Sequence, residues 1–385
     1  MSSPAVPQLH TKWARAIGVA IGASVIVALV VLAFIWPTIT SSIKAFPIGV
    51  TGEEAAVTAF TDALDENAEG RFDVVSLDSR DEAVDQIESR EIYGAVVIGQ
   101  EPEVLTATAG GAVQTQVMAQ LQAQLQTQVN AMTAQGVQAA IEQANAAAAA
   151  GQLSPEAAQA IIGKAVSAQA PTVALTDVVP LAETDPRGVG FAAAAFPMVL
   201  GGMVGGILIS RVVVGGWRRL TSIVAYSVIA GFVLTGILQG WFGILQGDFL
   251  VNTAAVALTL LGTGSLIVGS TALFGRVGIA IGAVITMFIG NPISAATQPV
   301  QFLPEPWGTI GQFFVPGASV TLLRDLSYFP EAPQLTSWLV LTAWALLGVV
   351  LMLVGHFRNQ EVLHVEGSLE EEEPATAPAP TVVTA

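Results

Sequence analysis

Residues Ala16 to Trp36 read AIGVAIGASVIVALVVLAFIW, a run with no charged side chain and a single hydroxyl, Ser24. A membrane-spanning helix needs about 20 mostly apolar residues, and this run supplies them. Lys12 and Arg15 precede it and Pro37 follows. The run is longer than the apolar core of a cleaved signal peptide, and Pro37-Thr38-Ile39-Thr40 carries no small-x-small cleavage pattern. It is read as an uncleaved signal anchor over residues 16–36, behind a cytoplasmic N-terminus of residues 1–15.

After it the chain changes character. Residues 37–189 are polar and acidic: between Ala45 and Arg187 there are 20 Asp and Glu against 5 Lys and Arg. No bilayer accepts such a stretch. Apolar runs then resume and crowd residues 190–355, at about Gly190–Val213, Leu220–Ile244, Phe249–Phe274, Val277–Ala295 and Leu335–Gly355. The expected fold class is therefore an α-helical integral membrane protein with six transmembrane helices. A large domain outside the membrane separates the first span from a five-helix bundle. The composition agrees, with 52% hydrophobic and 11% charged residues and a mean hydropathy of +0.64; soluble domains carry nearer a quarter charged.

Basic residues collect on the cytoplasmic side of a membrane. Lys12 and Arg15 precede the first span, Arg211, Arg218 and Arg219 lie between the second and third, Arg276 between the fourth and fifth, and Arg358 after the sixth. All agree if both termini are cytoplasmic and residues 37–189 are outside. Lys44 and Arg187 are the exceptions, and both flank a large translocated domain, where the rule is weak. The tail, residues 356–385, contains Glu370 to Glu373 and then Pro and Ala, and reads as acidic and disordered.

The spans hold almost no ionisable side chains, which argues against a proton- or sodium-driven carrier. They hold glycine instead: Gly201, Gly202, Gly205 and Gly206 in the second span, Gly262 in the fourth, Gly278 and Gly282 in the fifth. Small residues four apart let helices approach closely. Packing inside one bundle and a dimer seam are the two readings.

Residues 290–330 are apolar but broken: Gly290-Asn291-Pro292, then Leu303-Pro304-Glu305-Pro306-Trp307, then Val315-Pro316-Gly317-Ala318, then Arg324-Asp325. Irregular backbone at membrane depth is tolerated only under cover of protein or beside a water-filled cavity. The segment at about 300–327 is therefore read as re-entrant on the outer side, with Trp307 at the interface. Pro304, Trp307, Pro316, Gly317, Arg324 and Asp325 are its candidate exit-path residues. The simpler reading of Arg324 and Asp325 is that they snorkel outward.

The outer domain alternates strands and helices as βαβαββ: strands at Phe46–Val50, Phe72–Leu77, Tyr93–Ile98 and Val104–Ala107, with helices at Glu53–Leu64, capped by Thr51, and at Ser79–Ser89. A Gln- and Ala-rich insert, residues 112–169, follows. Val113, Val117, Leu121, Leu125 and Val129 recur every four residues, one stripe of a long helix. Ser154-Pro155-Glu156 starts a second helix whose stripe is Ala157, Ile161, Ile162 and Val166. A helical hairpin on the sheet and a coiled coil with a second subunit are the alternatives.

The chemistry that is missing is informative. There is no GxxxxGK[ST] loop, HExxH helix or GxSxG elbow. The chain has no cysteine, and His10, His356 and His364 stand apart. No metal, cofactor or enzymatic activity is expected, and without a basic surface no nucleic acid.

The order of one span, an outer α/β domain with a helical insert and five further spans resembles the export permeases of the ATP-binding-cassette superfamily (ABC-2-like transmembrane subunits). It is most similar to their YhgE/Pip, or phage-infection-protein, branch, common in Gram-positive bacteria. Three stretches carry the likeness. They are Ser79-Arg80-Asp81-Glu82-Ala83 leading to Ile92-Tyr93-Gly94-Ala95-Val96-Val97-Ile98, then Leu105-Thr106-Ala107-Thr108-Ala109, and Asn291-Pro292-Ile293-Ser294 through to Val315-Pro316-Gly317-Ala318. The resemblance implies a multi-pass plasma-membrane permease, working as a homodimer with a separate ATP-binding-cassette ATPase, that exports lipophilic or envelope-directed molecules. The chain departs from the pattern in its cytoplasmic parts: about 15 residues precede the first span and the second connection is roughly Val214–Arg219. That leaves open a motor-free protein whose outer domain is a receptor or scaffold for envelope components, phage or secretion partners.

Overall fold

The computed structural model describes residues 13–358. The expectations for residues 1–12 and for the tail from residue 359 onward lie outside the described residues.

Helix α1, Trp13–Thr40, contains the first apolar run. Its side chains stand mostly exposed from Ile17 to Ile35. Only its C-terminal end meets the broken segment. Trp36 packs edge-on against Trp307 at 6.4 Å. Just beyond, the Ser41 hydroxyl donates to Gln298 Oε1 at 3.1 Å, and the Ser42 amide to the Phe302 carbonyl at 3.2 Å.

The α/β rhythm yields a five-stranded sheet, one strand more than expected: β1 Phe46–Thr51, β2 Phe72–Ser76, β3 Gly94–Val97, β4 Glu103–Thr106 and β5 Ala174–Asp177, in the order β2-β1-β3-β4-β5. β1 runs parallel to β2 and β3, β4 is antiparallel to β3, and β5 parallel to β4. Helices α2 (Glu54–Asn67) and α3 (Arg80–Glu88) make the crossovers that parallel neighbours need. Thr51 lies in β1 rather than capping α2; Glu53 takes the cap position without a side-chain bond. Ser79, read from sequence as the first residue of the second helix, is the cap of α3 and accepts from the Glu82 amide.

Alternation along the strands sends Phe46, Ile48, Val50, Val96 and Val104 to one face. There they meet α2 and the long helix α4, Ala112–Ala149, through Val117, Leu121 and Leu125. Ala95 and Leu105 face the other way, onto α3 and onto Phe329 of the helical bundle. Helix α5, Pro155–Val166, capped by Ser154, packs back on α4. Its contact face differs from the expected stripe: Ala158 is buried, whereas Ile161 and Val166 are exposed.

The bundle consists of α6 (Val189–Val212), α7 (Gly216–Thr235), α8 (Phe249–Phe274), α9 (Arg276–Ala283), α11 (Val315–Tyr328) and α12 (Leu335–Arg358), with the single turn α10 (Trp307–Gly311) before α11. α8 is the axle, and α6, α7, α9, α11 and α12 pack around it. Among the described residues, five helices are long and apolar enough to cross a membrane: Ile17–Pro37, Val189–Val212, Gly216–Trp241, Phe249–Phe274 and Leu335–Arg358. The remaining expected span, the fifth, Val277–Ala295, is shorter. It has eight α-helical residues followed by the seven π-helical residues Val284–Gly290, and it stops where Asn291-Pro292 cannot continue it. At 1.5 Å per residue that is about 22 Å, less than the roughly 30 Å of hydrocarbon. α7 also ends in π turns, Gly236–Trp241.

Candidate functional site

The chemistry-bearing side chains converge where the sheet domain meets the bundle. The junction is built by the broken segment. Phe302 leaves the bundle to fill the core of the sheet domain, 5.6 Å from Phe46, which itself stacks on Tyr93 at 5.0 Å. The Tyr93 hydroxyl donates to Gln301 Oε1 at 2.8 Å. Burial is the main influence on that phenol and pushes its pKa up, so it stays a neutral donor.

Beyond Phe302 the chain turns back. Pro304 is half-buried and Trp307 exposed beside Trp36. Glycines then allow close backbone approach: a Cβ on Gly308 would collide with the Val300 carbonyl, on Gly311 with the Ile293 carbonyl, and on Gly317 with the Gly311 carbonyl. Pro316 sits in the first turn of α11, where a missing N–H is harmless. Pro316 and Gly317 are buried, as is most of α11, between α6, α8 and α12.

Arg324 and Asp325 do not snorkel outward. They are 8% and 3% exposed, because the sheet domain closes over them. Arg90, just past the end of α3, reaches down and pairs with the Asp325 carboxylate. Its backbone is left-handed, φ 61°, which turns the chain sharply there, and its guanidinium lies 5.3 Å over the Phe329 ring. Arg324 stacks 5.2 Å over Phe191 of α6 and donates to the Ala296 carbonyl at 3.2 Å. Around this centre the Tyr328 hydroxyl donates to the Ile244 carbonyl (2.7 Å) and the Thr184 hydroxyl to the Gly243 carbonyl (2.8 Å). Asp185 accepts from the Phe191 amide at 2.9 Å, satisfying one of the free amides at the start of α6.

Several hollows surround the junction, and two of them share Ala193 of α6. One, of about 340 Å³, lies between the start of α4, the start of α6 and Arg324. The other, of about 440 Å³, is an apolar cleft between α6 and α7, lined by residues such as Ala194, Pro197, Leu234 and Phe242.

The glycines fit neighbours within the chain. The Tyr226 ring of α7 lies against Gly205, and its hydroxyl donates to the Gly201 carbonyl at 2.7 Å. Gly202 and Gly206 meet α8 at Thr263 and Gly264, Gly262 meets Val315 and Leu341, Gly278 meets Ser270, and Gly282 meets Ile267.

Of the residues singled out from sequence, the structure brings Arg324 and Asp325 to the junction and Trp307 to α1. Arg90, Asp185 and Phe191 carried no local signal, and Tyr93 was legible only as the start of a strand. Arg187 stands out only as an exception to the charge rule, beside a large domain where that rule is weak. Among the described residues no cluster of His, Asp or Glu is arranged to hold a metal ion. No family model, curated protein or solved structure matches this chain.

Proposed function

We propose that this chain is a multi-pass plasma-membrane permease subunit that exports lipophilic or envelope-directed molecules. The sheet domain lies outside, both ends of the chain are cytoplasmic, and the broken segment at about 300–327 is re-entrant. The observation that carries the reading is the apolar cleft between α6 and α7 at the end of the bundle that bears the sheet domain. Its lining is almost wholly aliphatic and aromatic, and it abuts residues such as Gly190 that border the junction. An apolar groove facing lipid, beneath a domain docked by a buried ion pair, suits cargo that leaves the bilayer sideways. The proposed assembly is a homodimer with a separate ATP-binding-cassette ATPase.

A specific feature favours a second reading. The connection between α6 and α7 is only Val213–Gly215, and that between α8 and α9 is the single residue Gly275. These short turns offer a motor little to grip, as a motor-free receptor or scaffold would have it. Affinity purification of the full chain in mild detergent, followed by mass spectrometry, separates the two. A stoichiometric ATPase whose turnover is lost when Val213–Gly215 is altered supports the permease. Recovery alone, or with envelope proteins only, sinks ATP-driven export and leaves the scaffold.

A further inference from the structure

The hollow between the starts of α4 and α6 is lined by two cations, Arg187 and Arg324, and by no carboxylate. Ion pairs among the described residues are Arg80–Glu103 and Arg90–Asp325, so neither lining arginine belongs to one. The nearby acids are otherwise engaged. Asp325 is held by Arg90, Asp185 by the Phe191 amide, and Asp177 by the amide and hydroxyl of Thr108. Arg324 is more than nine-tenths buried, yet among the described residues it donates to a neutral carbonyl, and the one carboxylate whose charge reaches it, Asp325, is shared with Arg90. A guanidinium has five donors, and a buried charge normally finds a counter-charge.

Two helices also begin at this hollow. Gly111 precedes α4 and Gly188 precedes α6, and both line the space; as glycines they offer no capping side chain, and Asp185 takes only the Phe191 amide of α6. Their first amides and the positive ends of their dipoles add to the field of the arginines. The remaining wall is apolar, from Leu181, Phe191, Ala192 and Ala193, and Ala193 also lines the α6–α7 cleft.

We propose that this hollow binds a phosphate-type oxyanion, held between Arg187 and Arg324. At about 340 Å³ it lies within the roughly 300–1,000 Å³ of small-molecule sites. The group is either the head of an anionic amphiphile, whose chain follows the apolar wall, or a free phosphate. The inference stands on the hollow itself and holds with or without export.

The test is binding to the full chain, with no transport readout. In the first arm the protein is extracted from bilayers of mixed phosphatidylglycerol and phosphatidylcholine, and retained lipid is counted by native mass spectrometry. In the second, inorganic phosphate is titrated into protein held in phosphatidylcholine nanodiscs, and the unfolding temperature is followed. One retained phosphatidylglycerol per chain identifies a lipid head; a rise in unfolding temperature with phosphate alone identifies the free anion. In either arm R187Q, at an exposed position, weakens binding about tenfold or more without changing the unligated unfolding temperature, as expected for one lost charged hydrogen bond. R324Q, if it folds, also weakens binding, at some cost in unfolding temperature because Arg324 is buried, and R218Q leaves binding intact. Equal retention of both lipids with no phosphate effect, or binding unchanged in R187Q, overturns the proposal.

Discussion

The Asp325 carboxylate near the end of α11 takes its ion-pair partner, Arg90, from the sheet domain, 235 positions away in sequence. The two are 4% and 19% exposed at their side chains, so the pair is a buried latch between domain and bundle. Loss of one partner strands a charge, which destabilises by about 3–5 kcal/mol, whereas apolar replacement of both is often near neutral. D325N and R90Q are each expected to lower the unfolding temperature in detergent, and R90M/D325L to lower it less than the two single effects summed. Additive effects in that cycle would show that the pair does not couple the two bodies.

The glycines of the apolar helices include two classes with opposite expected effects. A Cβ on Gly206 would sit 2.8 Å from the Gly264 carbonyl, and one on Gly348 would strike the Ser265 backbone. G206A and G348A are expected to destabilise by about 1–3 kcal/mol through overpacking. Gly18 and Gly22 of α1 have nothing within 4 Å, so G18A and G22A are expected to be neutral or to gain about 0.5–1 kcal/mol from helix propensity. Unfolding midpoints of the four variants check this. A loss in G18A or G22A would reveal another helix, such as that of a second copy, against α1.

What the sequence discloses about this fold follows from the range over which each signal acts. The four-residue recurrence from Val113 to Val129 and the Ser154 cap are local, and they mark α4 and α5 directly. β5 is only four residues, three of them exposed, and its pairing to β4 is non-local, so no alternation betrays it. Ile161 and Val166 read as a stripe by spacing, but small alanines decide which side of α5 can approach α4. Arg324-Asp325 is the sharpest case. A charged pair next to an apolar run locally reads as solvated; its burial depends on Phe302 and Arg90 bringing a separate domain down on top of it, which no window of sequence contains.

Orientation is directly testable because the chain has no cysteine, so single cysteines report cleanly. Glu142 is exposed on α4, and Arg218 is exposed at the start of α7, across one apolar helix from the sheet domain. If residues 37–189 lie outside, E142C in intact cells reacts with a membrane-impermeant maleimide, and R218C reacts only after permeabilisation. The reverse pattern would invert the proposed topology, and labelling of both in intact cells would remove α6 as a span.

Glu103 links three elements of the sheet domain: it lies in β4, accepts from Arg80 of α3, and accepts from the Thr176 hydroxyl of β5 at 2.9 Å. Burial alone would raise its pKa, but the hydrogen bonds from Arg80 and Thr176 together outweigh burial and hold the carboxyl below the usual glutamate range. A group whose folded pKa is depressed contributes stability above its unfolded value and loses it as pH falls through the folded one. The link is therefore intact at neutral pH and fails in acid, below the ordinary glutamate range. Arg80 is 44% exposed, so solvent screens the pair and the effect is a local opening of the β4–β5 edge rather than unfolding. Amide exchange at Leu175 and Thr176, corrected for intrinsic rates, is expected to quicken in acid in the parent chain and to lose that acid dependence in E103Q. The same acid dependence in E103Q would assign it to another carboxylate.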